Sequence, residues 1–185
     1  MSCLLENKRG ALSETPLMTL KNFNKNFLIN FTLVVSIFLF DRFSKIYVIY
    51  LDKKFLGSEI FSSKFLNITL IWNEGIAFGL LSFNRIYFYN ILTAVIGIVI
   101  LVLIVMAIKS SGFKKYSILV IIGGGLGNLY DRVVFSAVAD FIDFHIGSFH
   151  WFIFNVSDIF ITIGVISLIV IELLNGNQNN EDKRI

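Results

Sequence analysis

Residues 123–158, GGGLGNLYDRVVFSAVADFIDFHIGSFHWFIFNVSD, decide how this chain is read. They carry Asp131, Asp140, Asp143 and Asp158, with Asn128, Arg132 and Asn155, and they lie between two strongly apolar segments. A carboxylate beside hydrocarbon is expensive, so it has a partner or a task. Glycines at 123, 124, 125 and 127 allow close helix approach, which predicts helices packed tightly around a polar pocket.

The rest of the chain fits a frame for that pocket. Of 185 residues, 56% are hydrophobic and only 16% charged, against about 25% charged in a soluble domain. The apolar residues come in runs long enough to cross a bilayer. A net charge of +3 on scattered lysines and arginines offers no basic stripe for nucleic acid. Cys3 is the single cysteine, which leaves no internal disulfide.

Working outward, Ile86–Ile108 has no charged residue and is read as a span. Three further spans are predicted at about 27–51, 116–134 and 151–174. Residues 1–26 and 176–185 are then polar tails. Phe65–Asn73 alternates, with Leu66, Ile68, Leu70 and Trp72 on one side and Asn67, Thr69 and Asn73 on the other, which predicts a strand. Ala137–Ile146 alternates too and is expected to pair with it. NEGIAFG at 73–79 reads as a turn leading into a short helix. The fold class is therefore an all-α polytopic membrane protein: one domain over 27–175, with four transmembrane helices and a small extracytoplasmic β element.

Four spans return both termini to one side. The tails and the Lys109–Lys115 loop hold nine of the 16 basic residues, which makes that side cytoplasmic. Asp41, Asn73, Asp131, Asp140 and Asp158, from separate segments, then converge near the outer membrane face.

Two carboxylates facing one water can split an amide, one taking a proton from the water and the other donating to the substrate. Asp140 and Asp158 are the predicted pair, Asp140 ending the connector strand and Asp158 one to two turns into the last span. Asn155 shares the helix face of Asp158, and Asn128, Asp131 and Arg132 form a second polar face. Asp41 and Lys45 are spaced i,i+4. Taken singly, Asp131–Arg132 and Asp41–Lys45 also fit plain structural ion pairs. Asp143 alternates away from Asp140. His145 and His150 have no third ligand at metal spacing, and the glycine run lacks the lysine-hydroxyl end of a phosphate loop. A small four-span ion or proton transporter is the competing class. It would place carboxylates near mid-membrane and show an internal repeat, and none is visible.

DRFSK at 41–45, NEGIAFG at 73–79, GGGLGNLYDR at 123–132, VADFIDF at 138–144 and FNVSD at 154–158 together resemble the lipoprotein signal peptidases, the type II signal peptidases of bacteria. The resemblance covers about residues 27–175. It implies an aspartic protease of the cytoplasmic membrane, free of metal and organic cofactor. Its partners would be diacylglyceryl-modified prolipoproteins, cut just before the lipid-bearing cysteine, and membrane lipid. Carried onto matching positions, Asp140 and Asp158 would be catalytic. Asp41, Lys45, Asn73, Asn128, Asp131, Arg132 and Asn155 would support them. Two positions depart from the family pattern: Ser157 stands where alanine is usual, and Ser136 where glycine is common.

Overall fold

The computed structural model describes residues 16–75 and 85–181, with side chains over 25–75 and 89–175. Four helices, α1 (Pro16–Lys54), α2 (Arg85–Lys109), α3 (Gly112–Phe135) and α4 (Val156–Glu181), carry the chain. Between α1 and α2 lie β1 (Phe61–Ser62) and β2 (Leu66–Asn73), and between α3 and α4 lie β3 (Val138–Ile146) and β4 (Phe149–Phe154). Lys25–Lys54, Tyr89–Lys109, Gly112–Phe135 and Val156–Asn175 are each long and apolar enough to cross a bilayer. The predicted class, four membrane helices with a small sheet, is what forms. Residues 1–15 of the N-terminal tail with Cys3, the turn and helix expected over 76–84, and residues 182–185 lie outside the described residues.

The chain falls into two units, 1–32 and 33–185. In the first, helix is described from Pro16, inside the expected tail, and Phe27 stacks on Phe31 at 6.1 Å. The second contains everything below.

In that second unit α3 is the most enclosed helix. Its Ile118, Leu119 and Ile122 form a core with Ile100 and Ala107 of α2. α2 is apolar all round, so its remaining faces, with Ile98, Leu101 and Ile108, are left exposed for lipid. The glycines of α3 remove the side chains that would hold its neighbours off. A Cβ at Gly124 would stand 2.6 Å from the Ser157 carbonyl oxygen, and one at Gly127 2.5 Å from Asp41 Oδ2. Bare backbone at these two positions lets α4 and α1 close onto α3.

The four strands form one antiparallel sheet in the order β1-β2-β3-β4. Its register departs from strict alternation. Ile68 pairs with Ile142 but Ile71 with Asp140, so β2 spends one extra residue in a bulge. The bulge exchanges the faces of β2. Strict alternation puts Asn73 with Asn67; after the bulge Asn73 pairs with Val138 and shares the face of Asp140.

The fourth helix starts at Val156 rather than at Trp151. Residues 149–154 are the strand β4, paired with β3, and Trp151 and Phe152 are exposed. Hydropathy does not separate an aromatic strand from the start of a span. The boundary is set instead by Asn155 and Asp158. The Asp158 backbone N–H donates to Asn155 Oδ1 and the Asn155 backbone N–H donates to Asp158 Oδ2, both at 3.1 Å. This is a reciprocal capping box, satisfying two backbone donors that a helix start leaves open.

Candidate active site

One turn and a half of α1 supplies Asp41, Arg42 and Lys45, all buried. Lys45 is fully enclosed, and its ammonium spends three donors on three acceptors: Asp41 Oδ2 at 3.1 Å, Asp131 Oδ2 at 2.8 Å and Asn128 Oδ1 at 2.9 Å. Arg42 reaches Asp131 Oδ1 at 2.6 Å and Asp41 Oδ2 at 3.0 Å, and its guanidinium lies 4.7 Å from the Tyr130 ring centroid. Two cations and two anions cancel. A buried charge without such partners is strongly destabilising.

The neutral cluster also holds the chain that follows it. Asp41 Oδ1 accepts the Ser157 backbone N–H at 2.9 Å, tying the first turn of α4 to α1. Asp131 Oδ2 accepts the Ala139 N–H at 3.3 Å, tying the start of β3 to α3. Asp158 and Asp140 stand one residue beyond each tie.

Asp140 accepts from Asn73 Nδ2 at 2.8 Å and from Asn155 Nδ2 at 2.6 Å. Asp158 accepts from Asn128 Nδ2 at 2.8 Å and from the Asn155 backbone N–H. Asn155 therefore bonds both carboxylates, one through its side chain and one through its backbone. Asn128 links Lys45 to Asp158. Burial pushes the Asp140 carboxyl above the ordinary carboxylate range, and the Asp158 charge adds to that push. The hydrogen bonds from Asn73 and Asn155 and the Lys45 charge pull the other way without prevailing. The site can therefore hold a proton on one carboxyl beside a second carboxylate.

Asp41, Lys45, Asn73, Asn128, Asp131 and Asn155 thus join Asp140 and Asp158 in one connected network. Among the described residues, no hydrogen bond or ion pair links Arg132 to it. Its guanidinium lies over Tyr89, 5.7 Å from the ring centroid, and a Cβ at Gly75 would stand 3.0 Å from its Nη1. Arg132 is four residues from Asn128 and shares its side of α3, but its guanidinium turns to Tyr89, so Asn128 and Asp131 are the residues of that predicted face that meet Lys45 and Asp158. The cations of Asp131 are Arg42 and Lys45, from α1. Two placements are corrected as well. Asp158 is in the first turn of α4, and Asp140 is the third residue of β3, not its end.

Arg42 was not predicted as part of the site. It follows Asp41 directly, and neighbours in sequence do not face each other on a helix. Its i,i+3 spacing to Lys45 is the signal that finds it: two cations on one apolar helix need two anions. The sheet also has a second polar cluster, on the face turned away from Asp140. There His150 Nδ1 meets Asp143 Oδ2 at 2.8 Å, His145 Nε2 meets Asn67 Oδ1 at 3.2 Å, and the two imidazoles stack at 5.0 Å.

Known proteins resemble this chain over most of its length. A family profile described as signal peptidase (SPase) II matches residues 33–174. A lipoprotein signal peptidase of Pelagibacter ubique (strain HTCC1062) is 46% identical over 159 residues, 86% of this chain and 96% of that protein. A lipoprotein signal peptidase of Anaplasma marginale (strain Florida) is 39% identical over 143 residues, 76% of this chain and 82% of that protein. Among solved structures, a bacterial membrane enzyme determined by the in meso method superposes with a TM-score of 0.62 at 34% identity, covering 82% of this chain and 90% of that one.

Proposed function

The chain belongs to the signal peptidase II family, and on that premise we propose that it is a membrane-embedded aspartic endopeptidase that removes the signal peptide from diacylglyceryl-modified prolipoproteins, cutting just before the lipid-bearing cysteine. It is a multi-pass bacterial membrane protein. Its termini are cytoplasmic and its site faces outward, a reading supported by the nine basic residues in the tails and the 109–115 loop. The observation that carries the catalytic assignment is Asn155, which holds Asp140 and Asp158 together through two hydrogen bonds.

The chemistry follows from that pair sharing one proton. The ionised carboxylate takes a proton from a water molecule, whose oxygen attacks the scissile carbonyl carbon. The protonated partner donates to the carbonyl oxygen. Collapse of the tetrahedral species breaks the C–N bond: one of its hydroxyls returns a proton to the pair, the leaving amine takes a proton from the pair, and one proton again remains on it. Asn73, Asn128 and Asn155 orient the two carboxylates, and the Asp41–Arg42–Lys45–Asp131 cluster fixes the elements that present them. Arg132, beside Gly75, belongs to the wall of the site and not to proton transfer. A substrate anchored by acyl chains gains roughly 0.8 kcal/mol for each buried methylene, which suits a site beside lipid. The ion-transporter alternative loses its motive, since Asp140 stands on a strand outside the spans.

The test is incubation of the purified protein with a precursor carrying the diacylglyceryl group and with the same precursor lacking it. The expected result is one cut, before the modified cysteine only. Equal cleavage of both, or a cut elsewhere, contradicts the assignment.

A further inference from the structure

The end of the molecule away from the aspartates carries a built cleft that proteolysis does not use. A cavity of about 590 Å³ opens where α2 meets α3, lined on its polar side by Lys109, Ser110, Ser111 and Lys114. Through Phe113 and Ile171, which border both spaces, it runs into a groove of about 460 Å³ between α3 and α4. Val120, Ile163, Ile166 and Val170 wall the groove with hydrocarbon. Its two serines are turned out of play: Ser117 Oγ donates to the Phe113 carbonyl at 3.1 Å and Ser167 Oγ to the Ile163 carbonyl at 2.7 Å.

Charge and length indicate what fits. Lys109 makes no ion pair among the described residues, and Lys114 pairs only with the exposed Glu172. With Lys115 nearby, the mouth keeps an excess of positive charge. α3 begins there with no acidic residue in its first turn and no side-chain bond from its cap, Ser111, so its positive end adds to the lysines. From Ile171 to Ile163 the groove follows α4 for about 12 Å. One leaflet of a bilayer is about 15 Å of hydrocarbon. A soluble anion would use the mouth and leave the groove empty, and an uncharged lipid would leave the lysines unmatched.

We propose that this cleft binds one anionic glycerophospholipid from the leaflet opposite the aspartates, its phosphate between Lys109 and Lys114 and one acyl chain along the α3–α4 groove. Basic pockets between membrane helices recognise anionic headgroups in this way. The site is separate from the catalytic pair and does not depend on the proposed cleavage.

The experiment is a titration of the full-length protein in neutral detergent, read by native mass spectrometry, with phosphatidylglycerol and with phosphatidylcholine of the same acyl chains. One phosphatidylglycerol should bind about tenfold more tightly than phosphatidylcholine. Replacing both lysines (Lys109→Gln, Lys114→Gln) should abolish that preference, and Ser167→Phe, which fills the groove, should weaken both lipids. Circular dichroism reports whether each variant is folded, and the comparison of lipids on the unaltered protein needs no variant. Equal binding of the two lipids, a preference that survives loss of both lysines, or unchanged binding in folded Ser167→Phe overturns the proposal.

Discussion

Asn155 and Asp158 cap one another, backbone N–H to side chain in both directions at 3.1 Å. The same Asn155 donates from its amide nitrogen to Asp140 at 2.6 Å. One residue thus begins α4 and sets the spacing of the two carboxylates, and substitution can separate the roles. Asn155→Ser keeps a good cap and removes the amide donor. It should melt close to the unaltered protein while losing much of its activity, with a shifted pH profile. Asn155→Ala loses both roles and should also be less stable by about 1 kcal/mol. Thermal melting beside precursor cleavage checks this; equal activity in Asn155→Ser and the unaltered protein would show that the amide has no part in orienting Asp140.

The four-charge cluster is expected to be intolerant in a particular way. Lys45→Met leaves Asp41 and Asp131 buried against Arg42 alone, and breaking a buried pair costs about 3–5 kcal/mol. Folded protein in the membrane should fall sharply. The double replacement Lys45→Met with Asp131→Asn restores neutrality and should recover protein level without full activity. Quantifying protein in membranes alongside cleavage tests it, since a purely catalytic lysine would lower activity at unchanged level.

Stability should depend on pH through Asp140. Its carboxyl is raised by burial. Its contribution is therefore fully present below the ordinary value of 3.8 and is lost as pH rises through the raised value. Over that window Asp140→Asn should gain stability relative to the unaltered protein, and the difference should be flat above it. Activity should also fall at high pH, once the shared proton is lost. Melting temperatures of the two proteins across pH 4 to pH 9, roughly the range spanned by shifted carboxylates, measure the first effect. A difference that shrinks as pH rises would contradict it.

Ser136 ends α3 in the left-handed region, at φ 56°. Glycine bears that conformation at less cost. Ser136→Gly should stabilise the protein by about 1 kcal/mol with cleavage unchanged, as read by thermal melting. Ser157 should behave similarly: its hydroxyl is buried without a hydrogen-bond partner among the described residues, so Ser157→Ala should be neutral or stabilising.

The spans were legible because composition and run length decide them: α2 carries 25 residues with charge only at its two ends. The alternation of β2 and β3 was legible for the same reason, period two over several residues. The bulge between Ile68 and Ile71 was not, because one extra residue leaves no mark in an apolar stretch, yet it decides that Asn73 faces Asp140. β4 was hidden because FHWFIF is as hydrophobic as a helix start. Its end was written in N-V-S-D, a capping sequence that hydropathy overrides. Asp158 stood out as a candidate because the sequence sets it in an apolar run. The network of the carboxylates could not be read, since Arg42 and Asp131 are far apart in sequence and meet only when the α3 glycines let α1 close in.

The central claim is that Asp140 and Asp158 act as one unit on one water. The direct test is the cleavage rate of a diacylglyceryl-modified precursor by Asp140→Asn, Asp158→Asn and the double variant, each verified as folded and able to bind the precursor. Each single replacement should lower the rate by at least about 10²–10⁴-fold, and the double variant should be no slower than the slower single one. Near-normal cleavage by either folded single variant, or losses that multiply in the double variant, would contradict the account.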